Sequence, residues 1–283
     1  MSIFYINGEF VNADSASISA RDLAILRGFG VFDFLRTYGG APFQLGAHLR
    51  RLQRSADLIE LACPWDLEEL GEIVMETLRR NTYDEAGIRL VVTGGDSPNG
   101  FMPGGDSRLL VMAAALQNLP AVAYQQGAAV ATVEQQRLMP EAKTINYIPG
   151  ITAQRKAQKR VPDAIDAIYC VDGFVVEGTR SNIFIFKDGR WISPDRGLLP
   201  GITRAEVIKL LEGDGQLELR EITRDEFCAA DEIVMTSSTK EIVPIVQVDD
   251  VQIGAGIPGA ASRALMRQWR EMIDAYAAAG VVV

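Results

Sequence analysis

Residues 140–150 read PEAKTINYIPG: a lysine, Lys143, behind a proline and an acid, then Thr144, Ile145, Asn146, Tyr147 and a Pro-Gly break. Taken alone, Lys143 is either an ordinary surface charge or the amine at the centre of the chemistry. A lysine becomes a covalent catalyst by forming a Schiff base with a carbonyl, which needs a buried or cationic setting that lowers its pKa. The choice between these readings, and with it the fold, depends on what accompanies the segment along the chain.

Further stretches pose the same kind of choice. In DGFVVEGTRSNIFIF, Glu177 ends an apolar strand-like run and precedes Thr179, Arg180, Ser181 and Asn182. A carboxylate at the end of a buried strand is costly unless a cation or a protonated nitrogen meets it; otherwise it is a turn acid. In LLPGITRAEVIKLL, Gly201, Ile202 and Thr203 open a helix whose first N–H groups and dipole suit a phosphate. Thr203 serves equally well as a plain N-cap. In EIVMTSSTKEI an apolar strand opens into Thr236, Ser237, Ser238 and Thr239, hydroxyls that bind phosphate or cap turns. GAHLRRLQRSA sets Arg50, Arg51 and Arg54 on one helix, either a solvated basic face or a source of one inward arginine for a phosphate. TGGDSPNG lacks the Gly-Lys-Ser/Thr ending of a phosphate loop.

Composition narrows the classes. The 283 residues suit one large domain or two of moderate size, 48% are hydrophobic, and the formal charge is −9 with a pI near 4.8; a chain of this kind buries a proper core and lacks the basic surface that nucleic acid or an anionic membrane attracts. Cys63, Cys170 and Cys228 are widely spaced and odd in number, which reads as free thiols in a reducing compartment. The N-terminus MSIFYINGEF has no signal-peptide pattern, and no apolar run approaches the ~18 residues of a membrane span. A cytoplasmic protein is expected. The single histidine, His48, excludes multi-histidine zinc sites and reads as a helix-surface or capping residue.

Periodicity supplies the organisation. Asn-Gly and Gly-Gly turns mark hairpins at FYI-NG-EFV and VFDFLRTY-GG-APFQL. Helical spacing of apolar residues predicts helices over 46–61 and 66–81, and strands are expected at 88–94 and 108–116. The pattern weakens at QNLPAVAYQQG, a linker signal. A basic helix over 151–161 is predicted next, followed by the strand-like AIDAIYCV, SNIFIFKDGRWIS, QLELREI and EIVMTSS. A helix opens at GITRAEV, and another covers 258–278. Strands and helices interleave without a βαβ period, so the expected class is α+β with mixed or antiparallel sheets. The expected division is 1–117, a linker at 118–126, and 127–283 carrying Lys143.

Taken in order, the HLRRL arginines, AKTINY, EGTRSN, PGITR and TSST-EI resemble the fold type IV family of pyridoxal-phosphate enzymes, which includes D-amino-acid transaminases, branched-chain aminotransferases and aminodeoxychorismate lyase. The resemblance spans nearly the whole chain. It implies pyridoxal 5'-phosphate carried by Lys143, with Glu177 holding the pyridine nitrogen protonated. Arg51, the backbone at Ile202 and Thr203, and the Ser238–Thr239 hydroxyls would bind the phosphate. Leu199 would press on the ring, with Tyr147 and Arg180 beside it. The protein would be a homodimer acting on amino acids and 2-oxo acids.

Within that family EGTRSN and TSSTKEIVPIVQVDD resemble the D-amino-acid transaminases. Their carboxylate trap, a hairpin tyrosine and an Arg-x-His loop, is replaced here by Phe32 and by Pro98-Asn99-Gly100-Phe101. Two arginines stand where a substitute cation could be supplied: Arg27, expected to reach the partner subunit's site, and Arg89, at the start of the strand before the altered loop. A D-amino-acid:2-oxo-acid transaminase is thus implied, with a branched-chain L-amino-acid aminotransferase and aminodeoxychorismate lyase as alternatives.

Overall fold

The computed structural model describes residues 2–213, 215 and 217–280. The chain forms two compact units: Met1–Gln117 with Ala142–Asn146 and Tyr276–Val283, and Asn118–Glu141 with Tyr147–Ala275.

The first unit is a six-stranded sheet under two helices. In chain order its elements are β1 (Ile3–Ile6), β2 (Glu9–Asn12), α1 (Leu23–Arg27), β3 (Gly30–Tyr38), β4 (Ala41–Pro42), α2 (Leu45–Leu58), α3 (Leu67–Arg79), β5 (Ala86–Thr93) and β6 (Arg108–Ala115). The sheet order is β2-β1-β6-β5-β3-β4, with every neighbour antiparallel. Leu49, Leu52 and Ala56 of α2 and Leu70 and Val74 of α3 recur at helical spacing and enter one core with Leu35, Ile88, Leu90 and Val111, which is the driving force for the layer. The side chain of Asp66 accepts from Glu69 N at 2.8 Å and starts α3, as an N-cap does.

The lysine segment belongs to this sheet by hydrogen bonding. Phe32 N donates to Lys143 O (2.9 Å) and Ile145 N to Gly30 O (3.0 Å), with Val31 and Thr144 bridged antiparallel. The sequence reading places Lys143 in the second domain; the segment instead adds a short rung beside β3. That placement comes from a backbone pairing between distant segments, which no local pattern encodes.

The second unit contains α4 (Ala121–Gln125), β7 (Ala128–Glu134), α5 (Ile148–Arg160), β8 (Ala164–Val171), β9 (Phe174–Gly178), β10 (Asn182–Lys187), β11 (Arg190–Ser193), α6 (Ile202–Glu212), β12 (Leu217–Leu219), β13 (Ile222–Thr223), α7 (Arg224–Cys228), β14 (Glu232–Ser237), β15 (Glu241–Val248) and β16 (Val251–Gln252), and most of α8 (Ala260–Ala279). Its ten-stranded sheet runs β12-β11-β10-β14-β15-β7-β8-β9-β13, with β16 on β15. β7 is parallel to β8 and to β15, while β8–β9, β10–β14 and β14–β15 are antiparallel. The α+β class with mixed and antiparallel sheets therefore holds.

One local expectation changes. The linker region carries a short helix, α4, tethered by Tyr124 Oη donating to Lys240 O at 3.1 Å. The strand expected from Gln216 starts at a residue outside the described ones, as do Val281–Val283 of the C-terminal apolar run. Earlier in that run Tyr276 Oη donates to Pro42 O at 2.8 Å. Cys63, Cys170 and Cys228 are free thiols. Among the described residues no helix is long and apolar enough to cross a membrane.

Candidate functional site

In the first unit, three contacts with two residues, Phe32 and Ser55, fix Lys143. Its carbonyl is held by β3, its N–H donates to Ser55 Oγ (3.1 Å) on α2, and its Nζ stands 4.7 Å from the centroid of the Phe32 ring. Ser55 in turn donates to Arg51 O at 2.8 Å. The lysine is half-buried. A cation over an aromatic face in a partly desolvated place gains quadrupole attraction.

The same ring faces a second cation. Arg89 on β5 lies 5.0 Å from the Phe32 centroid and 5.5 Å from that of Phe34, since Phe34 and Arg89 are register partners. Phe32 is buried while Arg89 is exposed. Arg27, the last residue of α1, is also exposed, its Nη1 donating to Leu26 O at 3.1 Å.

Of the HLRRL arginines, Arg51 turns inward and Arg50 and Arg54 stay in solvent. Arg51 grips Asp33 with two bonds, Nε to Oδ2 and Nη2 to Oδ1, both 2.8 Å. His48 is not on the helix surface: it is 1% exposed, with Nδ1 2.7 Å from Asp33 Oδ1. Burial alone would raise the Asp33 pKa, yet Arg51 and His48 hold it below the usual carboxylate range. An ionised carboxylate only accepts, so His48 Nδ1 carries the donated proton. Burial lowers the His48 pKa, opposed by Asp33 and helped by the charges of Arg51 and Lys143.

In the second unit, Glu177 is 3% exposed near the end of β9. Leu199 N donates to its Oε2 at 3.0 Å, and Arg137 Nη1 lies 3.3 Å from its Oε1. Arg137 is the cation that a strand-end carboxylate requires, and sequence reading missed it because it sits in an irregular loop before Pro140. Tyr169, the cross-strand partner of Glu177, was also missed; burial pushes its phenol up to about 12. Tyr147 is half-buried at the N-terminus of α5, and Arg180 is exposed.

Leu199 leads into α6. The helix begins on Gly201 with no side chain capping it, and Thr203 is buried. A Cβ at Gly201 would strike Asn182 Oδ1 and force that side chain to shift, although its amide is held by donating to Leu199 O at 2.9 Å. Asn182 is paired across the sheet with Thr236, so the two side chains share a face. The Thr236 hydroxyl is buried and has no hydrogen-bond partner among the described residues. Ser237, Ser238 and Thr239 follow, all half-buried, with Ser237 and Thr239 hydroxyls 3.3 Å apart.

The structure thus brings Phe32, Arg89 and Lys143 together in the first unit, with Arg51 on Asp33 and joined to Lys143 through Ser55. In the second, Glu177 meets Leu199, and the start of α6 reaches Asn182, the cross-strand partner of Thr236. Residues 30–248 match the family model described as amino-transferase class IV. The chain is 34% identical over 278 residues to a putative branched-chain-amino-acid aminotransferase of Methanocaldococcus jannaschii, covering 95% of each. It is 33% identical over 281 residues to a D-alanine aminotransferase of Staphylococcus haemolyticus, covering 97% of this chain and 99% of the other. Its structure is similar to that of the branched-chain aminotransferase of the archaeon Thermoproteus uzoniensis solved with norvaline, at TM-score 0.88 and 30% identity, covering 96% of this chain and 94% of that one. A fold type IV architecture, a class IV family match over most of the chain and full-length relatives of that activity make this protein a member of the class IV aminotransferases, pyridoxal-phosphate-dependent enzymes.

Proposed function

We propose that the protein is a D-amino-acid transaminase, moving the amino group of a D-alanine- or D-glutamate-type substrate to a 2-oxo acid such as 2-oxoglutarate in ping-pong fashion. The observation that carries the reading is the Phe32 ring with Lys143 Nζ at 4.7 Å and Arg89 at 5.0 Å from its centroid. An amine placed to move a proton at the substrate's α-carbon and a cation that can meet its carboxylate share one apolar platform. The D-preference rests on the EGTRSN and TSSTKEI motifs, in keeping with the D-alanine aminotransferase relatives.

The residues present suit pyridoxal phosphate part by part. Lys143 offers the amine, Glu177 a buried carboxylate, and the uncapped start of α6 with the unpartnered Thr236 hydroxyl offers donors for an anion. When bound, the cofactor supplies an electron sink for the substrate α-carbon. Lys143 Nζ is assigned the proton transfer at that carbon, and Glu177 would face the pyridine nitrogen. Arg51, the Ile202 and Thr203 amides, and Ser238 and Thr239 would hold the phosphate. Leu199 would pack on the ring, with Tyr147 and Arg180 at its edge. Arg27 and Arg89 take the carboxylate, beside Phe32. A cytoplasmic homodimer accompanies this reading, with Arg27 lent to the partner subunit.

A branched-chain L-amino-acid aminotransferase is the second reading, favoured by the 34% identity to the archaeal relative. Half-reaction spectra with D- and L-alanine, D- and L-glutamate and L-leucine separate the two. Rapid conversion by the D-enantiomers alone is expected; conversion by L-leucine and not by D-alanine overturns the D-reading.

A further inference from the structure

Beyond these residues, the second unit buries an ion pair that the assigned roles leave unused. Asp166 on β8 is fully buried, and Lys240, just after the hydroxyl run, is 6% exposed; Lys240 Nζ donates to Asp166 Oδ2 at 3.0 Å. A buried pair of this kind contributes little net stability against a well-packed apolar pair, because desolvation offsets the attraction. Its placement is more informative than its energy.

Asp166 gathers donors from both segments that flank the proposed cofactor contacts. Oδ1 accepts from the Thr179 N–H (3.1 Å), from the Thr179 hydroxyl and from Ala167 N (3.0 Å); Oδ2 accepts from Ser181 Oγ (2.9 Å) and Lys240. Thr179 and Ser181 form the turn directly after Glu177. Gly178, between Glu177 and Thr179, leaves room for this approach, since a Cβ there would strike Ser181 Oγ and come within 3.2 Å of Asp166 Oδ2. On the other side Lys240 closes the hydroxyl run, its N–H donating to Ser237 Oγ at 3.1 Å. Burial would raise the Asp166 pKa, but Lys240 and the Thr179 hydroxyl lower it.

We infer that Asp166 and Lys240 are positioning residues that lock the Glu177 turn and the Ser237–Thr239 hydroxyl loop into one frame, so that the pyridine nitrogen and the phosphate of one cofactor are gripped at a fixed spacing. The inference rests on the assignment of Glu177 and of Ser238 and Thr239 given above. Lys240 touches no cofactor atom in it and acts through the loop it closes. Without Lys240 the loop loses its anchor, and Asp166 is left as a buried carboxylate short of a cation.

The test compares binding of pyridoxal 5'-phosphate and of pyridoxal, which lacks the phosphate, to cofactor-stripped protein. Lys240→Met is expected to weaken pyridoxal 5'-phosphate about tenfold to a hundredfold, as loss of a charged anchor would, while leaving pyridoxal within about threefold. The double variant Asp166→Asn/Lys240→Met removes both charges and is expected to regain the wild-type melting temperature without regaining the preference for the phosphorylated form. An unchanged preference in Lys240→Met, or a preference that returns together with stability in the double variant, overturns the inference. Ser238→Ala/Thr239→Ala distinguishes the cause: if it lowers the preference, the phosphate site stands and only the role of Lys240 falls. If it too has no effect, the phosphate assignment falls with it.

Discussion

Lys143 and Phe32 hold each other twice: Phe32 N donates to Lys143 O at 2.9 Å, and Lys143 Nζ stands 4.7 Å from the Phe32 ring centroid. The backbone bond fixes where the lysine leaves the chain, and the ring limits where its amine can point. Position and reach of the amine are therefore set by β3 rather than by the loop that carries it.

Lys143→Ala is expected to abolish transamination while cofactor still binds without a covalent link, because the phosphate and ring contacts belong to other residues. Dialysis and absorbance measure retention, and single-turnover kinetics measure conversion. Substantial turnover in the variant, with no amine added, ends the assignment of Lys143.

Glu177→Gln is expected to lower both turnover and stability, the latter by about 1–3 kcal/mol, because Arg137 at 3.3 Å loses an ionised partner in a largely buried place. Adding Arg137→Gln restores stability by removing the stranded charge, and leaves turnover low because the pyridine nitrogen still lacks an anion. If the double variant recovers turnover along with its melting temperature, Glu177 acts only as a structural acid.

His48 provides a pH test that one signal can follow, since it is the only histidine in the sequence. Its folded pKa is lowered by burial, against the pull of Asp33. The unfolded chain takes up a proton near pH 6.5 that the folded chain refuses, so this contribution is complete above about 6.5 and declines as pH falls below it. Asp33, held below its ordinary range, adds a loss only under much stronger acid. Urea denaturation from pH 8 to 5 is expected to show a decline in wild type that His48→Gln lacks. Equal slopes in the two proteins, or an imidazole NMR midpoint at or above 6.5, contradict the buried neutral ring.

The sequence made the ends of elements legible and left the partners of charges hidden. Lys143, Glu177 and the start of α6 announce themselves by a Pro-Gly break, an apolar strand ending in an acid, and a Pro-Gly helix entry. Asp33 sits in VFDFL, where alternation alone does not say that a carboxylate can be buried. Its partner His48 reads as a helix-surface or capping residue until the fold turns it inward, and nothing local pairs Arg51 with Asp33. Lys240 is hidden at the end of a hydroxyl run, and its meaning depends on Asp166, a residue of another strand. Charge pairs between distant segments are properties of the assembled sheet, and they account for what local pattern could not supply.

The substrate carboxylate gives the last test. Phe32 and the Asn99–Phe101 loop offer it no side-chain charge, and an unpaired carboxylate in a partly desolvated site would cost several kcal/mol, roughly 2–7 by analogy with buried polar groups. Arg89 holds its guanidinium 5.0 Å from the Phe32 centroid, on the ring that also carries Lys143; Arg27 is exposed at the end of α1. An arginine–carboxylate hydrogen bond contributes about 1.5–3 kcal/mol, or about tenfold to a hundredfold in affinity. Arg89→Ala or Arg27→Ala should therefore raise the KM for D-alanine and D-glutamate by about that factor, with the cofactor spectrum nearly unchanged. The loss should be greater for D-glutamate, which brings a second anion, and negligible for a simple amine, which brings none. Kinetics of both variants on the three substrates decide it. If amino-acid KM is unchanged in both, the carboxylate is bound elsewhere and Arg180 becomes the next residue to replace; if amine KM rises equally, the arginines shape the site without binding the carboxylate.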